Sequence, residues 1–151
     1  MKHKHIRATL VLIEAFIGVS AVSGGIAVFT GVFDQWLPVS FLQGTPFSNY
    51  FIPGLILTVV VGGGMLLAAA TQFVQRAWAT LLSAGMGIVM IGWIIGEVVI
   101  LDRYAQAVAP STVIQQILFA ALGLTIYVLA THLWMTEYRN QRVSTRHGWH
   151  I

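Results

Sequence analysis

The chain has no cysteine, which excludes disulfides, thiolate metal sites and cysteine nucleophiles. Charge is almost as scarce. Eight Lys and Arg and five Asp and Glu make up 9% of the 151 residues, against roughly a quarter in an ordinary soluble domain. So few charges cannot coat the surface of a soluble protein of this size. Composition therefore argues against a soluble enzyme, a disordered tail and a nucleic-acid reader. Long alternating apolar-polar runs are also missing, which argues against a membrane β-barrel.

What remains is apolar. Hydrophobic residues make up 57% of the chain, and the mean hydropathy is +0.81. Charge-free intervals partition the sequence: 19 residues between Glu14 and Asp34, 41 between Asp34 and Arg76, 20 between Arg76 and Glu97, and 33 between Arg103 and Glu137. About 20 apolar residues in a helix cross the hydrocarbon core. Four helices are therefore expected, over about 8–30, 50–71, 77–101 and 112–135. The expected fold is an all-α, integral membrane four-helix bundle in a single domain. The basic start and the small residues near Ser20 resemble a leader peptide, but Glu14 interrupts its apolar core, so the first helix is expected to stay uncleaved.

Local signals mark the ends. Pro53 lies in the first turn of the second span, and Thr112 with Gln115 has capping-box spacing at the start of the fourth. Trp36, Tyr50, Trp78, Tyr104, Trp134 and Tyr138 gather at the boundaries as interface anchors, whereas Trp93 falls inside the third span. The connection of residues 31–49 is long for a helical hairpin. Its Phe33, Trp36, Leu37, Phe41 and Phe47 are expected to lie on the headgroups or cap the bundle.

Orientation follows from the basic residues. Lys2, Lys4, Arg7, Arg76, Arg139, Arg142 and Arg146 fall on one side of a four-span arrangement, and Arg103 alone falls on the other. The excess predicts cytoplasmic N- and C-termini and an outer 31–49 loop.

Ionisable groups within the spans are the candidate site, because each is costly in hydrocarbon. They are Glu14, Glu97 and His132, with Trp93 beside Glu97. Glu14 and His132 fall at similar depth, which permits a pair if the first and last spans are neighbours. Glu97 lies near the opposite end, within reach of Gln115, Gln116, Tyr50 and Arg103. The two glutamates are separated by well over ~10 Å along the membrane normal on the helical rise, so they cannot form one carboxylate dyad. As two stations of a proton path they would need intermediates, and only Thr58, Thr80, Ser83 and Thr125 are available. One histidine within the spans argues against a bis-histidine haem. His3, His5, His147 and His150 in the tails read as solvated ends, and no cofactor is expected.

Small residues offer packing positions. Gly92 and Gly96 have GxxxG spacing, Ser20 with Gly24 and Ala21 with Gly25 repeat it in the first span, and Gly62, Gly63 and Gly64 are consecutive. Intramolecular packing is the first expectation for them, and pairing of two copies through the third span is the alternative. The triple glycine is expected to admit a neighbouring helix, or otherwise to break its own.

Two stretches carry a resemblance: Gly44-Thr45-Pro46-Phe47-Ser48-Asn49-Tyr50-Phe51-Ile52-Pro53-Gly54-Leu55-Ile56-Leu57 and Gly92-Trp93-Ile94-Ile95-Gly96-Glu97-Val98. Over roughly residues 18–100 the chain resembles a group of small, four-helix bacterial inner-membrane proteins to which no activity is attached. Where that group carries an Asp-Pro-Ser-Gly turn, this chain has Asp34-Gln35-Trp36-Leu37-Pro38. The resemblance implies the topology and a bacterial inner membrane. The sequence thus reads as a non-enzymatic membrane protein with a structural, accessory or interaction role. Its expected partners are the bilayer and a second membrane protein or another copy of the chain, with no nucleic acid. The alternative is a proton-coupled carrier or channel for a small solute or cation, working as a homo-oligomer through Glu97 and Glu14. Small multidrug-resistance transporters share the four helices and a glutamate in the first, but they lack the long loop and the second glutamate. The orientation is tested by fusions: a green fluorescent protein at the C-terminus should fluoresce, and alkaline phosphatase inserted in the 31–49 loop should be active.

Overall fold

A computed structural model describes residues 2–35, 37–74, 76–102 and 110–139, with the side chains of residues 2, 3, 101, 102, 138 and 139 left aside. Among the described residues all regular structure is helical. The expected anchors Trp36, Tyr104 and Tyr138, the basic residues Lys2, Arg103, Arg139, Arg142 and Arg146, and His3, His147 and His150 lie outside the described residues or side chains.

Helix α1 runs Lys2–Phe29, six residues earlier at its start than the sequence pattern suggests. The second span is composite. It comprises α2 (Phe51–Ile56), a π-helical stretch (Leu57–Gly63), α3 (Gly64–Thr71) and a 3-10 turn (Gln72–Val74). Helix α4 covers Ala77–Asp102, and α5 covers Pro110–Trp134 and runs on as a π turn through Met135–Arg139. Four of these helical stretches are long and apolar enough to cross a membrane: Lys4–Phe29, Phe51–Val74, Ala77–Ile100 and Pro110–Glu137.

Each boundary has a local cause. Gly31, at φ 81°, ends α1 in the left-handed conformation that an L side chain resists. The Val32 amide then bonds the Ala27 carbonyl and the Gly31 amide bonds that of Val28, which occupies two otherwise orphaned acceptors. The Asn49 side chain accepts from the Phe51 amide at the start of α2, 3.0 Å away. At α5 the expected cap gives way: the helix begins at Pro110, so Thr112 is already its third residue. A proline at the first position has a preset φ and no amide to leave unsatisfied.

In sequence order each span packs on the next, and α1 closes the ring against α5. The burial pattern departs from that of a soluble protein, with apolar side chains both inside and on the perimeter. Leu12, Phe73, Ile114 and Ile117 project outward, while Leu10, Ile17, Met65, Met90, Ile126 and Leu133 fill the centre. Lipid tolerates apolar side chains on the perimeter, so close helix contact becomes the main discriminating factor. Threonines in the spans satisfy their own backbone: Thr58 bonds the Gly54 carbonyl and Thr125 that of Ala121. Both bonds are internal to one helix and use the donor of each hydroxyl.

Glycines decide where helices touch. A Cβ on Gly25 would fall 2.6 Å from the Gly54 carbonyl, and one on Gly54 would fall 2.9 Å from that of Gly25. Gly87 and Gly123 face each other in the same reciprocal way between α4 and α5. The triple glycine is split. Gly62 meets Val22 and the Gly18 backbone of α1, Gly64 meets Met86 of α4, and Gly63 is exposed. The helix does not break there; it widens into π geometry with helical dihedrals at Gly63 and Gly64. Gly92 and Gly96 make no intramolecular contact: with Gly85 they face open space along α4. The GxxxG spacing places them on one face, but that face points out of the bundle.

The 31–49 connection forms a 3-10 turn at Val39–Leu42 whose Phe41 and Leu42 are buried against α4. Tyr50 donates to the Pro38 carbonyl across the loop at 3.3 Å, and Phe33 stays exposed. The loop therefore covers one end of the bundle through Phe41 and Leu42. Substitutions at the glycines should separate the contacting positions from the open ones. Gly87→Ala forces apart two backbones and should destabilise by about 1–3 kcal/mol. Gly92→Ala meets nothing and should be neutral or stabilising by up to ~1 kcal/mol. Thermal unfolding of both variants in one detergent checks the difference.

Candidate functional site: two polar ends of the bundle

At the end where α1 begins and α5 finishes, a charged side chain turns inward. Arg7 is 8% exposed. Its Nη2 donates to Glu137 Oε2 at 2.6 Å, and its Nη1 donates to Gln72 Oε1 at 3.1 Å. Gln72 carries the chain further, donating through Nε2 to Ser83 Oγ at 2.6 Å. Glu137, Arg7, Gln72 and Ser83 thus come one from each span, and a continuous hydrogen-bonded line joins all four. Charge-assisted bonds of this kind are about twice as strong as neutral ones.

Glu14 lies two turns further along α1 and is completely buried. The Ser83 hydroxyl faces it, yet neither carboxyl oxygen has a hydrogen-bond partner among the described residues. The pair with His132 that the depths permit does not form, because His132 is exposed. Ile126, Ala130 and Leu133 make the inward line of α5, and one residue's rotation of ~100° carries His132 off it.

At the other end a cleft of about 90 Å³ opens between α1, the π stretch, α4 and α5. Ile17, Ser20, Leu57, Trp93, Glu97 and Gln116 are among its walls. Gln116, 8% exposed, donates from Nε2 to Glu97 Oε1 at 3.2 Å. Trp93, one turn before Glu97, presents its indole to the same carboxylate. Of the other groups considered for Glu97, Gln115 lines the cleft, Tyr50 bonds the loop, and Arg103 lies outside the described residues. Phe119, also in the cleft wall, stacks on Phe16 with ring centres 6.3 Å apart and joins α5 to α1.

The two glutamates stay apart. Ser83, level with Glu14, and Glu97 are 14 residues apart on α4, or about 21 Å. Between them lie Ile17, Ala21, Met90 and Ile94, all buried and all part of the cleft wall, so the apolar inner end of the cleft comes within one turn of Glu14 along α1. Chemically, one end holds a guanidinium clamp beside a lone carboxyl, and the other holds a small cleft with a hydrogen-bonded carboxyl.

Sequence reasoning missed the clamp. Arg7 sits among basic residues that mark orientation, and Glu137 is 130 positions away. The available signal was an arginine one helical face in line with Glu14, seven residues on, which is two turns. Arg7→Gln should leave Glu137 and the Gln72 carboxamide short of a partner and cost about 2–4 kcal/mol, reduced from the fully buried case because Glu137 is 25% exposed. A double-mutant cycle with Glu137→Gln, read by unfolding in detergent, should return a coupling of about 1 kcal/mol or more.

Comparison with protein-family models, with characterised proteins and with solved structures finds no match to this chain.

Proposed function

We propose that the chain is a multi-pass protein of a bacterial inner membrane, with both termini in the cytoplasm, and that its role is structural or accessory and not catalytic. The observation that carries this reading is the use of its polar groups. Arg7, Glu137, Gln72 and Ser83 hold the four spans to one another, and the inner walls of the cleft, Ile17, Ala21, Met90 and Ile94, are apolar. A protein built to move solutes needs polar groups along its path; here they are concentrated at the two ends. Such a protein acts through what it associates with in the bilayer, another membrane protein or a second copy of itself.

One specific observation favours a second reading, a proton-coupled carrier or channel. Glu97 stands in an open cleft with Trp93 and Gln116, the arrangement of convergent polar groups in an apolar wall that small-molecule sites use. The two readings part in one series of measurements. Native mass spectrometry after gentle extraction should show the chain in a heteromeric complex if the role is accessory. A homo-oligomer that drives pH-dependent flux in liposomes, with the flux lost in Glu97→Gln, would replace that reading with the carrier.

A further inference from the structure

The end of the bundle around Glu14 contains more unsatisfied oxygen than its packing explains. Glu14 Oε1, Glu14 Oε2 and Thr80 Oγ1 are buried with no hydrogen-bond partner among the described residues. Glu14, Thr80 and Ser83 each have no exposed surface. Thr80 and Ser83 are three apart on α4 and therefore share a face, and Ser83 faces Glu14. Thr80, in the first turn of α4, differs from most threonines of the spans. Thr9, Thr58, Thr71, Thr125, Thr131 and Thr136 all bond a carbonyl one turn back in their own helix, which is the usual solution in an apolar medium.

Charge counting narrows what completes the set. Arg7 pairs with Glu137 at 2.6 Å, and that carboxylate balances the charge of the Arg7 side chain. His132 is exposed and turned away from the interior. When ionised, Glu14 adds one negative charge to the cluster, with no cation paired to it among the described residues. A buried water would supply hydrogen bonds but no charge. The donor atoms are all oxygens of a carboxylate and hydroxyls, the set that hard cations prefer over softer metals. One carboxylate balances one positive charge, and a divalent ion would leave a net charge in hydrocarbon.

We propose that Glu14, Thr80 and Ser83 form an intramembrane site for one small monovalent cation, Na+, which competes there with a proton for the Glu14 carboxyl. The proposal goes beyond the accessory and carrier readings and depends on neither. Glu14 supplies the charge, and the two hydroxyls replace part of the hydration shell of the ion. Binding exchanges one proton for one Na+, so charge in the bundle is conserved.

The test uses the full chain, purified in detergent, with ionic strength held constant by exchanging NaCl, KCl and N-methylglucamine chloride. Na+ should raise the thermal unfolding midpoint in a saturable way, and the two larger cations should not. Where the carboxyl is protonated, the apparent Na+ affinity should fall by about tenfold per pH unit of acidification, as proton competition requires. Glu14→Gln should lose the Na+ response. Thr80→Val keeps the carboxylate and should weaken the apparent affinity by about tenfold, while Thr125→Val, the same change at an exposed position of α5, should leave it unaltered. Equal responses to Na+ and K+, or a Na+ response that survives in Glu14→Gln, would overturn the proposal. If Glu14→Gln does not fold, Thr80→Val decides: an unchanged Na+ affinity there overturns the site equally.

Discussion

One guanidinium holds the ends of four helices. In water the exclusion of apolar surface would drive the spans together, but in lipid a leucine gains little by leaving the perimeter for the centre. Association must come from close packing and from polar bonds with no competing solvent. Arg7 supplies the second. It reaches Glu137 at one end of its fork and Gln72 at the other, and Gln72 passes the contact to Ser83. The line is as strong as its weakest member, because removing any one exposes the others as unpaired groups in a poor dielectric. The glycine contacts depend on the same alignment. Gly25 against Gly54 and Gly87 against Gly123 allow backbones to meet only if the helices are held at one relative height.

The spans were legible because charge is scarce. In a chain with thirteen charged residues the gaps alone outline the helices. The site was legible in its residues and not in its connections. Glu14 and Glu97 stand out as acids in apolar runs, and Gln116 was within reach of Glu97 on depth alone. The partner of Arg7 was not, because a basic residue near a span end has a sufficient explanation in orientation and nothing in the sequence shows that its side chain bends inward. Glycine pairs failed for a related reason. Gly92 and Gly96 satisfy a rule about one helix, whereas the contacts that form need one glycine on each of two helices, opposite each other. A spacing rule sees only the first kind.

The two ends also differ in what they ask of the bilayer. The Arg7 end buries its charge by pairing it, and its remaining carboxyl lies completely inside. The Glu97 end leaves its carboxylate at an opening, bonded by a carboxamide and faced by an indole. Ile17, Ala21, Met90 and Ile94 lie between as the apolar inner walls of the cleft.

The π-helical stretch at Leu57–Gly63 has a consequence for how the second span faces its neighbours. A π turn accommodates a residue that an α-helix would have to carry as a change of register. Gly54 before the stretch and Gly62 within it address α1, while Gly64 beyond it addresses α4. The span behaves as two helical segments spliced with their phases adjusted separately. Returning Leu57–Gly63 to plain α geometry by removing one residue would turn Gly64 against Gly54 by about 100°, so the span could no longer address α1 and α4 together.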